Sequence, residues 1–110
     1  MNPSDVYVVL CTCPEGAVDA LTERVLTARL VACVNVVAGV RSVYRWEGKI
    51  ENELESLLVM KTQRARIDSL IQTIESAHPY EVPEVLALPI GDGSHPYLQW
   101  VLAETTLSGE

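Results

Sequence analysis

This 110-residue chain has three cysteines, and a cysteine can bind a metal, take part in redox chemistry or simply pack in the core. Cys11 and Cys13 are one residue apart and Cys33 stands alone, so neither a disulfide framework nor a zinc-type pair is indicated. Such thiols are typical of a reducing compartment, where they are packed, redox-active or metal-bound. Cys13 lies at a predicted helix start, which lowers a thiol pKa. Two interpretations of Cys13 remain open: a reactive thiol, or an ordinary thiol near a helix cap.

A row of carboxylates is the second candidate for chemistry. Glu51, Glu53 and Glu55 lie two residues apart, which places them on one face of a strand. Three carboxylates could attract hard cations. The more common arrangement is a solvated face, or one that is paired with Arg41, Arg45 or a neighbouring subunit.

Several classes of function are disfavoured by composition and by missing motifs. No residue spacing argues for a nucleophile and its base, so we expect no enzyme. The phosphate-loop motif is missing, and the net charge of −7 disfavours nucleic-acid binding. No apolar run reaches the roughly 18 residues of a membrane span. The N-terminal segment Met-Asn-Pro-Ser-Asp lacks the pattern of a secretory signal, which predicts a cytoplasmic protein.

The elements that must position these residues follow from the apolar periodicity of the first half of the chain. A continuous apolar run predicts a buried strand over Val6–Leu10. Thr12, Pro14 and Glu15 form a helix-start signal, and helical spacing continues to about Leu30. A long strand over Ala32–Trp46, bent or bulged at Gly39, turns at Gly48-Lys49 into a return strand over Ile50–Thr62.

The second half predicts a helix, an edge strand and a closing helix. The helix covers Ile67–Ala77 and stops at His78-Pro79, and the strand covers Glu84–Ile90. The last helix runs from His95 to about Thr105, with Ser94 as its N-cap. The order β-α-β-β-α-β plus a helix predicts an α/β fold, the ferredoxin-like α+β sandwich, as a single domain over residues 1–110. The long polar hairpin projects beyond its own sheet and needs a partner.

Three sequence blocks closely resemble the CutA divalent-cation-tolerance family. They are Ser42-Val43-Tyr44-Arg45-Trp46-Glu47-Gly48-Lys49-Ile50-Glu51, Lys61-Thr62 and His78-Pro79-Tyr80-Glu81-Val82-Pro83-Glu84. Shorter matches at Val8–Thr12, Ala32–Asn35 and Tyr97–Trp100 extend the resemblance from about Val6 to Glu104. The resemblance implies the fold derived above and a tight homotrimer, similar to PII signalling proteins, whose hairpin reaches across subunits. It also implies a link to tolerance of copper and other divalent cations, with no established reaction.

The resemblance assigns copper as the metal and Cys11, Cys33 and His78 as its ligands. Thiolate and imidazole are good copper ligands. The order of elements puts Cys11 and His78 at one end of the sheet and Cys33 at the other, so a three-ligand site needs neighbouring subunits. The structural alternatives are small buried hydrophobes for the two cysteines and a helix cap for His78. We assign no function to His95.

Six further side chains are predicted at subunit contacts or in clefts between subunits. Exposed aromatic residues near the hairpin tip are most simply explained by burial against another subunit. The six are Tyr44, Trp46, Lys61, Tyr80, Glu84 and Trp100. Two functions follow from this prediction. The first is a homotrimer that binds copper or another divalent metal ion and acts in response to it. The second is a PII-like regulatory or scaffolding trimer that binds a small effector or a protein partner in its intersubunit clefts.

Overall fold

A computed structural model describes residues 5–107 of the chain. Short 3₁₀ turns, Glu15–Ala17 and Arg64–Arg66, precede the first two helices. The main elements follow in the predicted order and confirm the α/β fold class. They are β1 (Val6–Cys13), α1 (Val18–Thr27), β2 (Cys33–Trp46), β3 (Lys49–Gln63), α2 (Ile67–Ala77), β4 (Val85–Pro89) and α3 (His95–Glu104). The single domain over 1–110 stays a prediction, because its two ends lie outside the described residues.

The four strands form one sheet in the order β2-β3-β1-β4, and every neighbouring pair is antiparallel. This is the ferredoxin-like arrangement, in which β1 lies in the middle and β4 lies at an edge, as its prolines predict. Alternation along the strands gives the sheet two faces. The face of Val9, Cys11, Leu58 and Met60 packs against α1 and α2 and forms the main core.

The opposite face of the sheet is covered at one end only. There α3 packs Leu98, Val101 and Leu102 against Val6. Further along this face, Leu86 and Leu88 of β4 are 53% and 48% exposed. The open face therefore keeps apolar surface in contact with water, because no element of the described chain covers it there.

The hairpin of β2 and β3 contains the two backbone positions that depend on glycine. Glu47 and Gly48 form the tip with φ values of 49° and 79°, so the turn lies one residue earlier than predicted. The predicted bulge is confirmed between Val37 and Val40, where Gly39 has a φ of 73°. The hairpin lengthens the molecule to extents of 45 × 26 × 22 Å.

Of the two predicted helix starts, the one at Thr12 is wrong, and the N-cap at Ser94 is confirmed in position only. Thr12 and Cys13 continue β1 instead of starting a helix, and no side chain caps the turn that follows Pro14. Ser94 precedes α3, but its side chain makes no cap hydrogen bond; its carbonyl accepts one from the Leu98 N–H at 3.0 Å. At Thr12 the pairing of β1 with β3 takes the place of the predicted cap, and at Ser94 a backbone hydrogen bond takes the place of a side-chain one. Within residues 5–107, no helix is both long enough and apolar enough to cross a membrane.

Candidate functional site

A cleft of about 820 Å³ opens between the hairpin and the segment that follows α2. Its walls are acidic and aromatic, and we call it the acidic cleft. Tyr44 and Trp46 come from β2, and Glu51, Glu53 and Glu55 come from β3. Tyr80, Glu81 and Glu84 come from the segment after α2. Its volume lies within the range of small-molecule sites.

The bulge in β2 decides which side chains enter the acidic cleft. Before the bulge, Val37 pairs with Leu57; after it, Val40 pairs with Glu55. The extra residue on β2 moves its even-numbered side chains to the face of the odd-numbered β3 side chains. Tyr44 therefore lies opposite Glu51, on the same face of the hairpin.

Two phenols donate hydrogen bonds to the cleft carboxylates. Tyr80 Oη donates to Glu55 Oε2 at 2.8 Å, and Tyr44 Oη donates to Glu53 Oε1 at 3.0 Å. Desolvation and then the accepting carboxylate raise the pKa of each phenol above its ordinary value. Both phenols therefore stay protonated at neutral pH and act as hydrogen-bond donors to Glu53 and Glu55.

The register also excludes the pairing of these glutamates with arginines of the same chain. Arg41 lies opposite Leu54 and Arg45 lies opposite Ile50, which puts both arginines on the other face of the hairpin. No cleft carboxylate forms an ion pair with another described residue. Of the arrangements predicted for these glutamates, two remain: a solvated row, or a row paired with a neighbouring subunit.

His78 is buried at the end of α2, and both its ring nitrogens are occupied. Nε2 lies 2.8 Å from the Thr12 carbonyl oxygen and donates to it, while Nδ1 accepts from the Tyr80 N–H at 3.1 Å. The ring also contacts the Tyr80 ring, with centroids 4.8 Å apart. This network joins α2 to the end of β1 and holds the cleft wall. It is a structural role, but it differs from the expected helix cap, because the ring bonds a carbonyl of β1 and not the last carbonyls of α2.

Cys11 and Cys13 point into the core beneath α1 and α2. Burial raises the pKa of the Cys11 thiol to about 12, with Cys13, Glu84 and Glu55 adding to the effect. Burial and Glu55 also raise the pKa of Cys13. The prediction of a reactive Cys13 depended on its lying at the helix start, but Cys13 is the last residue of β1. Both residues therefore behave as buried, weakly ionised thiols.

Cys33 lies on the open face of the sheet, half-buried, at the start of β2. Its Sγ is 3.5 Å from Tyr97 Oη on α3, and burial and then the thiol raise the pKa of Tyr97 to about 12. Lys61 lies directly opposite Cys33 and donates to Asn35 Oδ1. Lys61 is thus remote from the acidic cleft, whereas Tyr80 and Glu84 line it.

Trp100 is on the exposed side of α3 and is 42% exposed. Its ring contacts the Tyr97 ring, with centroids 5.7 Å apart. Within this chain its ring therefore packs on a neighbour of its own helix. Contact with another subunit stays a prediction for Trp100, as it does for Tyr44 and Trp46.

The three residues predicted as copper ligands do not fit a common site within one chain. Cys11 opposes Leu58 on the helix-covered face, and Cys33 opposes Lys61 on the open face, so the sheet itself separates the two thiols. His78 has no free ring nitrogen. Across residues 5–107, no group of three or more His, Cys, Asp or Glu is placed to hold a metal ion. Cys33 was expected at the other end of the sheet from Cys11; the separation that the register shows is between the two faces of the sheet.

The sequence singled out most of the side chains that line the cleft, Glu81 among them, but not the contacts between them. The hydrogen bond of Tyr80 to Glu55 spans 25 residues of chain. No local spacing signals such a contact. The pairing of Cys33 with Tyr97 spans 64 residues and is equally invisible in the sequence.

The comparisons with known proteins agree with one another. The family model of the CutA1 divalent ion tolerance protein matches residues 7–104. Protein CutA of Homo sapiens is 44% identical over 100 residues, which cover 90% of this chain and 56% of the human protein. The chain thus spans little more than half the length of that relative.

Two solved structures extend the likeness to three dimensions. The divalent cation tolerance protein (Cut A1) of Thermus thermophilus superposes with a TM-score of 0.89 at 39% identity, covering 92% of this chain and 99% of that one. The PII-like protein CutA of Nostoc sp. PCC 7120 in its apo form gives a TM-score of 0.86 at 31% identity, covering 92% and 98%. The fold and the sequence therefore point to one family.

Proposed function

Because the chain belongs to the CutA1 divalent ion tolerance family, we propose that it acts in tolerance of divalent cations as a homotrimer that binds copper or another divalent metal ion at contacts between its subunits. The observation that carries this proposal is the family match over residues 7–104, which includes the hairpin, the acidic cleft and all three candidate ligands.

Exposed apolar surface supports the homotrimer. Leu86 and Leu88 on the open face and Val36 and Val37 on β2 are all about half exposed. Both β2 and β4 are edge strands with unpaired backbone groups. Such edges and faces are normally covered in a soluble protein, and a second copy is the simplest cover.

Cys33 is the best-placed soft ligand for a metal shared between subunits. It is the one candidate thiol that is not fully buried, and it lies on the open face. Cys11 and His78 enter a metal site only if the core and the hydrogen bonds of His78 rearrange. A shared site built from Cys33 of more than one chain therefore needs the least change in structure.

Equilibrium dialysis of the reduced protein against Cu(I), followed by elemental analysis, tests the metal proposal. We expect saturable uptake with a fixed ratio of copper to trimer. Cys33→Ser removes that uptake, while Cys13→Ser, a matched change at a fully buried thiol, keeps it. Uptake that is missing from the unmodified protein, or that survives Cys33→Ser, contradicts the proposal.

A second candidate function is a PII-like regulatory or scaffolding trimer that binds a cationic effector or partner in clefts between subunits. The size and charge of the acidic cleft favour it. Spermidine is a suitable probe, because a polyamine complements the glutamates. A rise in melting temperature that persists in EDTA and in Cys33→Ser supports this function, and a rise caused only by metals rejects it.

A further inference from the structure

Cys33, the best-placed soft ligand, has a polar neighbour on α3. Tyr97 Oη lies 3.5 Å from Cys33 Sγ. When the sulfur is a neutral thiol, either group can donate in this contact, whereas a thiolate can only accept. A phenol keeps its proton at neutral pH, so Tyr97 has an O–H to donate to the ionised sulfur. The contact therefore places a hydrogen-bond donor against the one cysteine that is not fully buried.

The nearest cation on the same face of the sheet does not take this role. Lys61 lies directly opposite Cys33 on β3, and its ammonium group donates to Asn35 Oδ1. Asn35 is two residues after Cys33, on the same face of β2. Lys61 is thus bonded to the amide, and the polar contact of the sulfur is the phenol of Tyr97.

The ring of Tyr97 is held in place by its own helix and by Trp100. Leu98 is 4% exposed and Val101 is fully buried, so this part of α3 is packed on the sheet. Trp100 lies one turn beyond Tyr97, and the two ring centroids are 5.7 Å apart. These contacts restrict the rotation of the Tyr97 ring and keep its hydroxyl beside the sulfur.

The far end of α3 is anchored by side chains of two other segments. Arg29, just after α1, has a φ of 58° and donates from Nε to the Glu104 carbonyl at 3.1 Å. Gln63, the last residue of β3, donates from Nε2 to the Leu102 carbonyl at 3.1 Å. Both bonds satisfy carbonyls that the end of a helix leaves without partners. The helix that carries Tyr97 is therefore fixed relative to the sheet that carries Cys33.

We propose that Tyr97 is a positioning residue for the Cys33 sulfur and donates its O–H to the thiolate that binds Cu(I). The inference rests on the metal function proposed above and names the residue that prepares its ligand. Thiolate sulfur is a soft ligand that suits Cu(I). Groups that hydrogen-bond to a metal ligand fix its orientation and strengthen metal binding. Tyr97 is not itself a ligand, because its phenol needs the proton for this bond.

Alkylation of the metal-free protein by iodoacetamide tests the hydrogen bond, with the modified cysteine identified by peptide mass spectrometry. Tyr97→Phe keeps the ring beside the sulfur and removes the donor. The reacting thiolate then forms less readily, and its gain in nucleophilicity does not compensate, so Cys33 is expected to react about threefold more slowly at neutral pH. Tyr7→Phe removes a phenol that contacts Arg64 instead, and this matched control keeps the original rate.

Competition for Cu(I) with a chromophoric chelator tests the consequence for the metal. Tyr97→Phe is expected to bind Cu(I) about tenfold or more weakly than the unmodified protein, which is the usual loss when a group bonded to a ligand is removed. Tyr7→Phe keeps the original affinity. Circular dichroism confirms that both variants are folded.

The two measurements can overturn the inference separately. If Tyr97→Phe is alkylated as fast as the unmodified protein or faster, the phenol only covers the sulfur or steadies α3, because losing a cover exposes the thiol. If alkylation slows but the affinity for Cu(I) is unchanged, Tyr97 does not position a metal ligand. An unmodified protein that takes up no Cu(I) refutes the proposed metal function instead, and the alkylation rates still decide whether the phenol donates to the sulfur.

Discussion

At the residue scale, the type of a side chain indicates its chemistry, but its surroundings decide whether that chemistry is available. Cys11 and His78 have the atoms of copper ligands. The thiol is buried in the core, and the imidazole is held by the Thr12 carbonyl and the Tyr80 N–H. The sequence predicted their nearness to one end of the sheet. It could not predict these contacts, since they depend on side-chain packing between distant elements.

Thiol reactivity follows from these environments. With a pKa of about 12, roughly one Cys11 thiol in ten thousand is ionised at pH 8. We expect any rapid reaction of the folded protein with Ellman's reagent to come from Cys33 and to disappear in Cys33→Ser. The other two thiols react on unfolding in guanidinium. A rapid phase that persists in Cys33→Ser would show that the core thiols are accessible.

The same burial gives stability a defined dependence on pH. Folding raises the pKa of Cys11 from its ordinary value of 9.0 to about 12. Below pH 9 the thiol is protonated in both states and has no effect. Between pH 9 and 12 the unfolded chain loses the proton that the folded chain keeps, so stability falls as pH rises. Urea titrations from pH 8 to 11 are expected to show this fall, with a shallower slope in Cys11→Ala; equal slopes would refute the assignment.

Replacement of His78 separates a structural role from a ligand role. His78→Ala leaves the Thr12 carbonyl and the Tyr80 N–H without their partner, and we expect a loss of about 1–3 kcal/mol in the free energy of unfolding without any metal. His95→Ala, at the exposed start of α3, is the control and changes stability little. If His78→Ala destabilises the protein only when copper is present, the ligand role is the correct one.

At the element scale, the strands, the helices and the bulge were predictable, because apolar periodicity and glycine placement record them directly. The β3 faces also follow the predicted alternation, with Leu54 and Leu58 on one and the glutamates on the other. The predictions that were wrong concern the ends of elements. Thr12 matches a capping box, yet β1 continues through Cys13, because pairing with β3 outweighs a local signal.

Gly39 tests the bulge that aligns Tyr44 with the glutamates. A side chain there meets nothing within 4 Å, so the cost of Gly39→Ala comes from its φ of 73°. We expect Gly39→Ala to lower stability by about 1 kcal/mol, because an L-residue is strained in this conformation. Gly16→Ala also meets nothing within 4 Å and is not at positive φ, so it is the matched control. Equal melting temperatures for the two variants would contradict the role of the bulge.

At the scale of the whole molecule, one chain leaves surfaces uncovered, and the proposed homotrimer would bury them. The open face, the two sheet edges and both sides of the hairpin are all uncovered in one chain. The sequence predicted that the long hairpin needs a partner. It could not show which side chains share each side of the hairpin, because the bulge determines which β2 residues lie on the same face as which β3 residues.

Native mass spectrometry of the reduced, metal-free protein tests the homotrimer most directly. The proposed assembly predicts one dominant species with the mass of three chains that persists on dilution into the low micromolar range. A monomer that stays folded with its apolar faces exposed, or a dimer with twofold contacts, would contradict the account at its centre.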